Sequence, residues 1–281
     1  MRRPVYFVRY WDKGSVSVGA EQMVPALRRL GVDARSIHAE ELAGVRGSIL
    51  VFIKRANILH LAAAWPRGNR CVLDVQDQVV FRYWISHWPF YHAFIFRNRR
   101  QERDAGLQVR LMGNLWARFT TIYQQWDPRY GPHRVPEGEL RVGYLGTRRS
   151  IPFWGDLPGV EFVEEGDWFE RARGFNAHVS IRPTGREWRY KPGAKVATAA
   201  ACGAVLLTTR DCSSLELLGE DYPFYTRGPG REDVLEAVAR ARQELGGPAW
   251  REALERMREV KERTSLERVA ERYVELFEAL D

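Results

Sequence analysis

HVSIRPTGREWRYKPGAKVATAAACGAVLLTT, residues 178–209, is the stretch that decides the fold class. A β-branched run predicts a strand that ends at Arg182, and a polar loop follows it. Lys191 and Pro192 then open a predicted helix, which stops at Gly203 before a second apolar strand. Because strand, helix and strand in this order build parallel sheets, the stretch predicts an α/β fold.

The same alternation runs through the rest of the chain. Short β-branched or leucine-rich runs predict strands at 5–9, 48–53, 70–75, 120–123, 140–145, 160–163, 177–181 and 204–209. Helical spacing of apolar residues predicts helices at 18–30, 58–65, 89–105, 192–202, 232–245 and 264–281. The last of these begins with a capping-box pattern formed by Thr264 and Glu267.

Length and one irregular segment predict the domain organisation. The chain has 281 residues, and DPRYGPHRVPEGE at 127–139 holds three prolines and two glycines without apolar periodicity. We predict one α/β domain at 1–130, a linker at 131–139 and a second α/β domain at 140–281, whose last helix is able to pack back on the first domain. One large α/β domain is the alternative.

Composition and cysteine usage are those of an ordinary intracellular protein. Hydrophobic residues make up 45% and charged residues 28% of the chain, which is enough for real cores. Cys71, Cys202 and Cys212 lack the paired spacings of a zinc site or a disulfide framework, so we expect free thiols. Since neither a signal-peptide pattern nor an apolar run of about 18 residues occurs, the expected location is the cytoplasm.

Positive charge is concentrated in the N-terminal half. Residues 1–140 carry 21 Lys+Arg and 12 Asp+Glu, whereas residues 141–281 carry 22 and 24. A basic region of this kind can bind anionic lipid, a phosphorylated acceptor or nucleic acid. Alternatively, its arginines are simply solvated. Without a helix-turn-helix, zinc-finger or RNA-binding signature, we expect no nucleic-acid partner. The excess of arginine over lysine favours a high-GC or thermophilic source.

The loop before the predicted helix at 192–202 is a candidate phosphate site. Ligands of open α/β sheets bind outside the carboxyl ends of the strands, where helix N-termini present free N–H groups. Lys191 and Lys195 are four residues apart and project from one face if both are helical. An alanine-rich core helix with two solvated lysines explains the pattern equally well.

The same stretch resembles the donor-binding region of GT-B-fold glycosyltransferases, in particular the retaining family-4 type. The shared features are K-P-x-x-K at Lys191, Pro192 and Lys195, a small-residue helix ending in Cys202 and Gly203, and the strand AVLLTT. LRVGYLGT at 140–147 resembles the first strand and glycine turn of the donor domain, and SSLELLGEDYPFY at 213–225 resembles the loop whose acidic residue lies near the nucleotide.

This resemblance implies two facing Rossmann-like domains with the active site in the cleft between them. It implies transfer of a sugar from a nucleotide diphosphate-sugar co-substrate, without a metal or another cofactor, to a sugar or a lipid-linked acceptor. Basic groups then offset the charge that builds on the leaving diphosphate. The implied donor-binding residues are Gly146, Thr147, Arg148, Arg182, Lys191, Lys195, Ser214 and Glu216.

One departure from the family pattern concerns the paired glutamates of the family-4 type. Their positions align with Tyr190 and Thr198, so both glutamates are missing. The stereochemical outcome is therefore left open. A non-catalytic glycosyltransferase-like binding protein and a nucleotide-sugar epimerase of the same fold are the alternative functions.

Candidate catalytic residues lie in the N-terminal half. VLDVQDQ at 72–78 places Asp74 and Asp77 at the end of a predicted strand, and the resemblance implies Asp77 as base or acceptor-orienting group. For Asp74 we favour the role of a helix cap. His60 and His92 lack metal-ligand spacing but are candidates to reach the cleft.

WISHWPFYHAFIFRNRRQER at 84–103 combines aromatic residues with arginines. This composition is typical of a segment that lies on a membrane surface, which would place the protein peripherally at the inner face of the membrane. The alternative, which we favour, is a core helix with a solvated basic end.

Overall fold

The computed structural model describes residues 3–10, 17–77, 89–151, 153, 156–183, 185 and 190–281. The chain divides into two compact units. Unit 1 comprises Met1–Gln125, Tyr190–Pro192 and Leu266–Asp281, and unit 2 comprises Trp126–Arg189 and Gly193–Ser265. The last helix thus belongs to unit 1, and the segment predicted as a linker, 131–139, belongs to unit 2.

Unit 1 is built on a parallel sheet that has six strands among the described residues. They are β1 (Val5–Arg9), β2 (Ala34–His38), β3 (Ile49–Ile53), β4 (Arg70–Asp74), β5 (Ala93–Phe96) and β6 (Arg118–Thr121), in the spatial order β2-β1-β3-β4-β5-β6. β3 and β5 are buried along their whole length, as expected of central parallel strands covered on both faces. β2 was not predicted, because ARSIH offers little apolar signal.

Helices cover both faces of this sheet. On one face, α1 (Met23–Arg29) and the C-terminal helix α9 (Leu266–Glu278) share a core that contains Leu27, Tyr273 and Phe277. On the other face, α2 (Ile58–Ala64) and α3 (Arg99–Leu111) share a core that contains Phe52 and Phe94. Unit 1 is therefore a layered α/β domain of the Rossmann-like kind.

Unit 2 repeats this architecture on a smaller scale. Its described sheet has four parallel strands, β7 (Val142–Leu145), β8 (Val160–Val163), β9 (Ala177–Ser180) and β10 (Val205–Thr208), in the order β10-β9-β7-β8. Its helices are α4 (Trp168–Ala172), α5 (Ala194–Ala201), α6 (Cys212–Leu218), α7 (Arg231–Gln243) and α8 (Pro248–Arg263). The alanine-rich α5 packs closely on α8. The predicted α/β fold with parallel sheets is confirmed.

The helix predicted at 89–105 is wrong. Residues Ala93–Phe96 form the buried strand β5, and α3 begins only at Arg99. The aromatic and β-branched run fits a buried strand, and Asn98 starts the helix because its side chain accepts a hydrogen bond from the Gln101 N–H. Within the proposed membrane segment 84–103, Ala93–Phe96 are therefore buried, whereas Arg99 and Arg100 are exposed on α3. Trp84, Ile85 and Trp88 lie outside the described residues.

The capping box predicted for the last helix is also wrong. Thr264 follows the end of α8, where its hydroxyl donates a hydrogen bond of 2.7 Å to the Val260 carbonyl. The sequence signal was misread because α8 was not predicted. Among the described residues, no helix is both long and apolar enough to cross a membrane.

Candidate functional site

Unit 2 gathers polar groups at the carboxyl edge of its sheet. Gly146 follows β7, Arg182 follows β9, and Thr209 follows β10. α5 begins at Ala194 after the loop that leaves β9, so its N-terminus lies at the same edge. Open parallel sheets bind their ligands at this position.

Lys195, in the first turn of α5, is the central cation of this edge. Its Nζ lies 3.8 Å from the centroid of the Tyr144 ring, and among the described residues it pairs with no carboxylate. Burial and the nearby Arg182 guanidinium lower the pKa of Lys195 to about 7. An anion that binds beside this amine would stabilise its protonated, positively charged form.

A cavity of about 180 Å³ opens beside Lys195. It is lined by aromatic and small side chains together with the lysine: Tyr130, Leu145, Trp168, His178, Ala194, Lys195 and Thr198 are among them. His178 is buried in β9, where its Nε2 lies 3.3 Å from the Ala172 carbonyl oxygen, and burial lowers its pKa to about 4. It is thus a neutral histidine in the core of unit 2.

Gly146 provides the backbone next to the amine. Its φ is +152°, and a Cβ atom there would lie 3.2 Å from Lys195 Nζ and 3.2 Å from the Tyr144 ring. Residues other than glycine rarely adopt this backbone φ, and the position of the Cβ atom is already crowded by the lysine and the tyrosine. The glycine therefore allows a close approach to Lys195 that other residues would obstruct.

A second cavity of about 280 Å³ lies beside Arg182. Arg210 and Arg227 also line it, together with Asp211. The backbone N–H of Arg182 donates to Thr209 Oγ1 (3.2 Å), and its Nε lies 3.7 Å from Asp211 Oδ2. Arg227 pairs with Glu236 (2.9 Å), so two of the three arginines at this cavity have a carboxylate nearby.

Two other predicted nucleotide contacts lie on α6. Ser214 is buried, and its hydroxyl donates to Asp211 Oδ2 (2.8 Å) as part of the helix cap. That hydroxyl is engaged in the helix cap, and nucleotide binding by Ser214 stays a prediction. Glu216 lies two residues further on the same helix and is half-buried.

Thr147 precedes a short 3-10 turn, Arg148–Ser150, and both Thr147 and Arg148 are exposed. Arg148 pairs with Asp156 (3.0 Å) and Glu164 (3.6 Å), and its guanidinium lies 4.3 Å from the centre of the Phe162 ring. The structure therefore places Arg148 among its own surface acids and not at the Lys195 cavity. Thr147 Oγ1 contacts Ser150 Oγ at 3.2 Å.

Asp77 lies at the carboxyl edge of the sheet in unit 1, after β4. It binds two amines: Lys191 Nζ at 2.6 Å and Lys54 Nζ at 3.0 Å. Burial opposes its ionisation, but the hydrogen bonds from Lys191 and Lys54 outweigh this and lower the pKa of Asp77. The carboxylate is consequently ionised and doubly paired, which makes it a weak base.

Lys191 differs from its predicted setting. It was expected on one helix face with Lys195, but α5 begins only at Ala194, after Pro192 and Gly193. Lys191 belongs to unit 1, whereas Lys195 belongs to unit 2. The prediction that both project from one helix is therefore wrong.

The backbone around Asp77 is strained at two positions. Lys54 has φ +67° and Gln76 has φ +56°, which are left-handed values that non-glycine residues rarely adopt. Both positions follow the ends of neighbouring strands, β3 and β4. Strain of this kind clusters at functional sites, so it marks this edge as a second candidate site.

A buried polar network supports this edge and was missed from sequence. Asp74 forms an ion pair with the buried Arg97, and the Tyr273 hydroxyl lies 3.2 Å from the same guanidinium. Gln76 Nε2 donates to Asp74 Oδ2 (2.7 Å), and Gln101 Nε2 donates to the Gln76 carbonyl (2.9 Å). We expected Asp74 to cap a helix and the arginines of 84–103 to form a solvated basic end. Asp74 instead pairs with Arg97, and both side chains are buried.

The two candidate histidines occupy opposite edges. His60 Nδ1 lies 2.9 Å from the Tyr10 hydroxyl, just after β1 ends, on the carboxyl side of the sheet. His92 precedes β5 on the amino side, where the Cys71 N–H donates to its Nδ1 (3.1 Å). Burial, with Arg70 and Arg3 nearby, lowers the pKa of His92 to about 4. His92 therefore lies at the opposite edge of the unit 1 sheet from Asp77, and its catalytic role stays a prediction.

Tyr190 and Thr198 both form hydrogen bonds within their own units. Tyr190 is buried in unit 1 and its hydroxyl donates to Asp104 Oδ2 (2.9 Å). Thr198 lies on α5 in unit 2 and is hydrogen-bonded to Tyr130 at the Lys195 cavity. No group of three or more metal-ligating side chains occurs among the described residues.

Solved structures with the same fold include a glycosyltransferase and proteins in complex with UDP or UDP-glucose. A glycosyltransferase from Rickettsia africae is 10% identical over 99% of both chains, with a TM-score of 0.68. Anabaena HepE in complex with UDP and glucose is 8% identical over 99% of this chain and 100% of its own, with a TM-score of 0.67. T4 phage BGT in complex with UDP-glucose is 13% identical over the full length of both chains, with a TM-score of 0.63.

At the level of sequence, no family model and no curated protein matches the chain. The similarity to the solved structures therefore establishes the fold. It confirms two Rossmann-like domains of the GT-B glycosyltransferase kind.

Proposed function

We propose that the protein is a metal-independent glycosyltransferase that moves a hexose from a nucleotide diphosphate-sugar to an acceptor. The observation that carries the proposal is the Lys195 amine, which has no carboxylate partner among the described residues. Five solved structures with this fold, of three different proteins, contain UDP or UDP-glucose, which supports a uridine nucleotide as donor.

In this proposal unit 2 holds the donor. The diphosphate lies against Lys195, and Gly146 admits the phosphate because it has no side chain. Arg182 adds positive charge from the neighbouring strand end. When the sugar leaves, negative charge builds on the diphosphate, and fixed cations in a poorly hydrated site stabilise that charge. Lys195 and Arg182 thus supply the positive charge that a bound metal ion supplies in metal-dependent enzymes.

Asp77 in unit 1 is proposed to orient the acceptor. Its lowered pKa makes it a poor general base at neutral pH, but an ionised carboxylate is a good hydrogen-bond acceptor for a hydroxyl group. The proposed acceptor is a sugar or a lipid-linked molecule.

Binding of UDP, measured by isothermal titration calorimetry, tests this proposal. Lys195→Met should weaken binding about 10- to 100-fold, because a hydrogen bond to a charged group contributes about 1.5–3 kcal/mol. Lys261→Met is the matched control, since Lys261 is another half-buried lysine of unit 2 whose Nζ lies 5.7 Å from a ring, that of Trp126. Failure of UDP, GDP and ADP alike to bind the wild type would reject the donor site.

A non-catalytic binding protein is the second candidate. Tyr190 and Thr198 favour it, because both hydrogen-bond elsewhere in their own units where the family-4 pattern has glutamates. Such a protein would bind the nucleotide but would release no nucleoside diphosphate from the donor. An epimerase of the same fold would convert the donor without any acceptor.

A further inference from the structure

Five large apolar side chains are exposed at the end of α3 and in the turn that follows it. They are Leu107, Leu111, Met112, Leu115 and Trp116, with exposed fractions of 41 to 76%. Neighbouring exposed apolar side chains of this size mark interaction sites more often than ordinary surface. We call these five residues the α3 patch.

The fold holds the turn of the patch in a fixed shape. Gly113, with φ +94°, ends α3: its N–H donates to the Arg110 carbonyl (3.0 Å), and the Asn114 N–H donates to the Val109 carbonyl (3.2 Å). The buried Asn114 side chain donates to the Tyr91 carbonyl (3.0 Å) and accepts from the Ala117 N–H (3.0 Å). Leu115 and Trp116 are therefore presented to solvent by a well-bonded turn.

Arginines surround the patch. Arg99, Arg103 and Arg110 line a cavity of about 460 Å³ together with Leu107 and Phe119. The Arg110 guanidinium lies 5.1 Å from the centre of the Phe119 ring, and the exposed Arg118 follows the turn. Guanidinium groups and aliphatic side chains thus share one surface.

The two acids of this segment are engaged. Glu102 accepts a hydrogen bond of 2.5 Å from the Thr121 hydroxyl. Asp104 accepts from Arg100 (2.8 Å) and from Tyr190 (2.9 Å). Residues 99–119 contain five arginines and these two acids, so the surface keeps a net positive charge.

We propose that the α3 patch docks the protein on an anionic lipid surface. The apolar side chains enter the boundary between headgroups and acyl chains, and the arginines bind lipid phosphates. This surface shares Arg99 and Arg103 with the segment 84–103 but does not include that segment's residues Ala93–Phe96, which are buried in β5. It is also independent of the proposed donor site.

Charge and shape argue against other occupants. A second copy bound about a twofold axis would bring the same arginines against one another, which like-charge repulsion opposes. Nucleic acid would match the arginines but would leave the three leucines and Met112 without a suitable contact. An anionic bilayer satisfies both kinds of side chain.

Vesicle sedimentation with the full-length protein tests the proposal. Wild type should bind vesicles of equimolar phosphatidylglycerol and phosphatidylcholine but not vesicles of phosphatidylcholine alone. Arg103→Gln/Leu107→Gln should lower the partition coefficient at least about fivefold, since an arginine near an anionic surface contributes about 1 kcal/mol. Leu115→Gln/Trp116→Gln should lower it in the same direction.

Arg29→Gln/Leu30→Gln is the matched control. Both residues are exposed at the end of α1, on the opposite face of the unit 1 sheet, and this variant should bind like the wild type. Circular dichroism melting confirms that each variant is folded. Equal binding to both vesicle types, or patch variants that bind like the control, would overturn the proposal.

Two further results would reassign the surface. Release from vesicles by glycerol phosphate at matched ionic strength would mean that the arginines bind a free phosphate group. A dimer in solution that the patch variants dissociate would mean that the patch is a contact between copies.

Discussion

Lys195 Nζ lies 3.8 Å from the centroid of the Tyr144 ring, and Gly146 packs so close to both that a Cβ atom there would lie 3.2 Å from each. The ring faces the amine without supplying a counter-charge that would neutralise it. Burial and Arg182 lower the pKa of this lysine to about 7, so its charge is sensitive to pH in the physiological range. This relationship gives the donor-site proposal a signature that can be measured.

The affinity for UDP should fall as the pH rises above 7. The bound diphosphate favours the protonated amine, so a proton is taken up on binding once the free lysine is neutral. The fall should approach tenfold per pH unit for one coupled group. Calorimetry in buffers of different ionisation enthalpy measures this uptake directly. Lys195→Arg should remove the dependence because arginine stays charged, and a flat profile in the wild type would contradict the prediction.

Gly146→Ala should weaken UDP binding at least about tenfold, because the added Cβ must displace the Lys195 amine or strain the backbone by about 1–3 kcal/mol. Gly203→Ala is the matched control: its φ is also positive, +64°, but no atom lies within 4 Å of the new Cβ. Both variants should lose stability by thermal denaturation, yet the Gly146 variant alone should lose affinity. Equal affinities would show that Gly146 serves only the turn.

Asp74→Ala should destabilise unit 1 by about 3–5 kcal/mol, because it leaves the buried Arg97 charge without its carboxylate. Asp33→Ala is the control, since Asp33 pairs with Arg35 at the surface, where both side chains are more than half exposed. Its loss should be below about 1 kcal/mol. Urea denaturation of both variants measures the difference, and a small loss at Asp74 would show that the network contributes little.

Asp77 should titrate below its ordinary pKa of 3.8 in the wild type. Its pairing therefore contributes stability that is fully present above about pH 4 and is lost as the pH falls through the lowered pKa. In Lys54→Gln/Lys191→Gln, only burial remains, and the pKa should rise above 3.8. Carboxyl carbon NMR follows the titration, and Arg35→Gln should leave it unchanged. An Asp77 that titrates alike in all three proteins would refute the pairing.

The sequence predicted the elements whose signal is local. The apolar runs of β3, β4, β8 and β10 and the stripe of α9 appear where expected, because buried strands and amphipathic helices need those patterns. The run at 93–96 was assigned to a helix because a short apolar run fits either element, and only its partners β4 and β6 make it a strand.

The sequence predicted where the site residues lie along strands and helices, but not which residues they contact. Sequence indicated that Lys195, Asp77 and Gly146 follow strand ends or open a helix. It gave no sign that Lys191 binds Asp77, 114 positions away, or that Asp74 and Tyr273 share the Arg97 guanidinium. Such contacts depend on the order of strands in the sheet, which a single sequence does not encode locally.

Release of nucleoside diphosphate from a nucleotide-sugar tests the central claim most directly. Wild type and Lys195→Met are incubated with UDP-glucose and other nucleotide-sugars, with and without sugar and lipid-linked acceptors, and free UDP or GDP is quantified. We predict acceptor-stimulated release by the wild type, at least about tenfold slower in Lys195→Met. Binding of the nucleotide without release from any donor, or release that is unchanged in Lys195→Met, would contradict it.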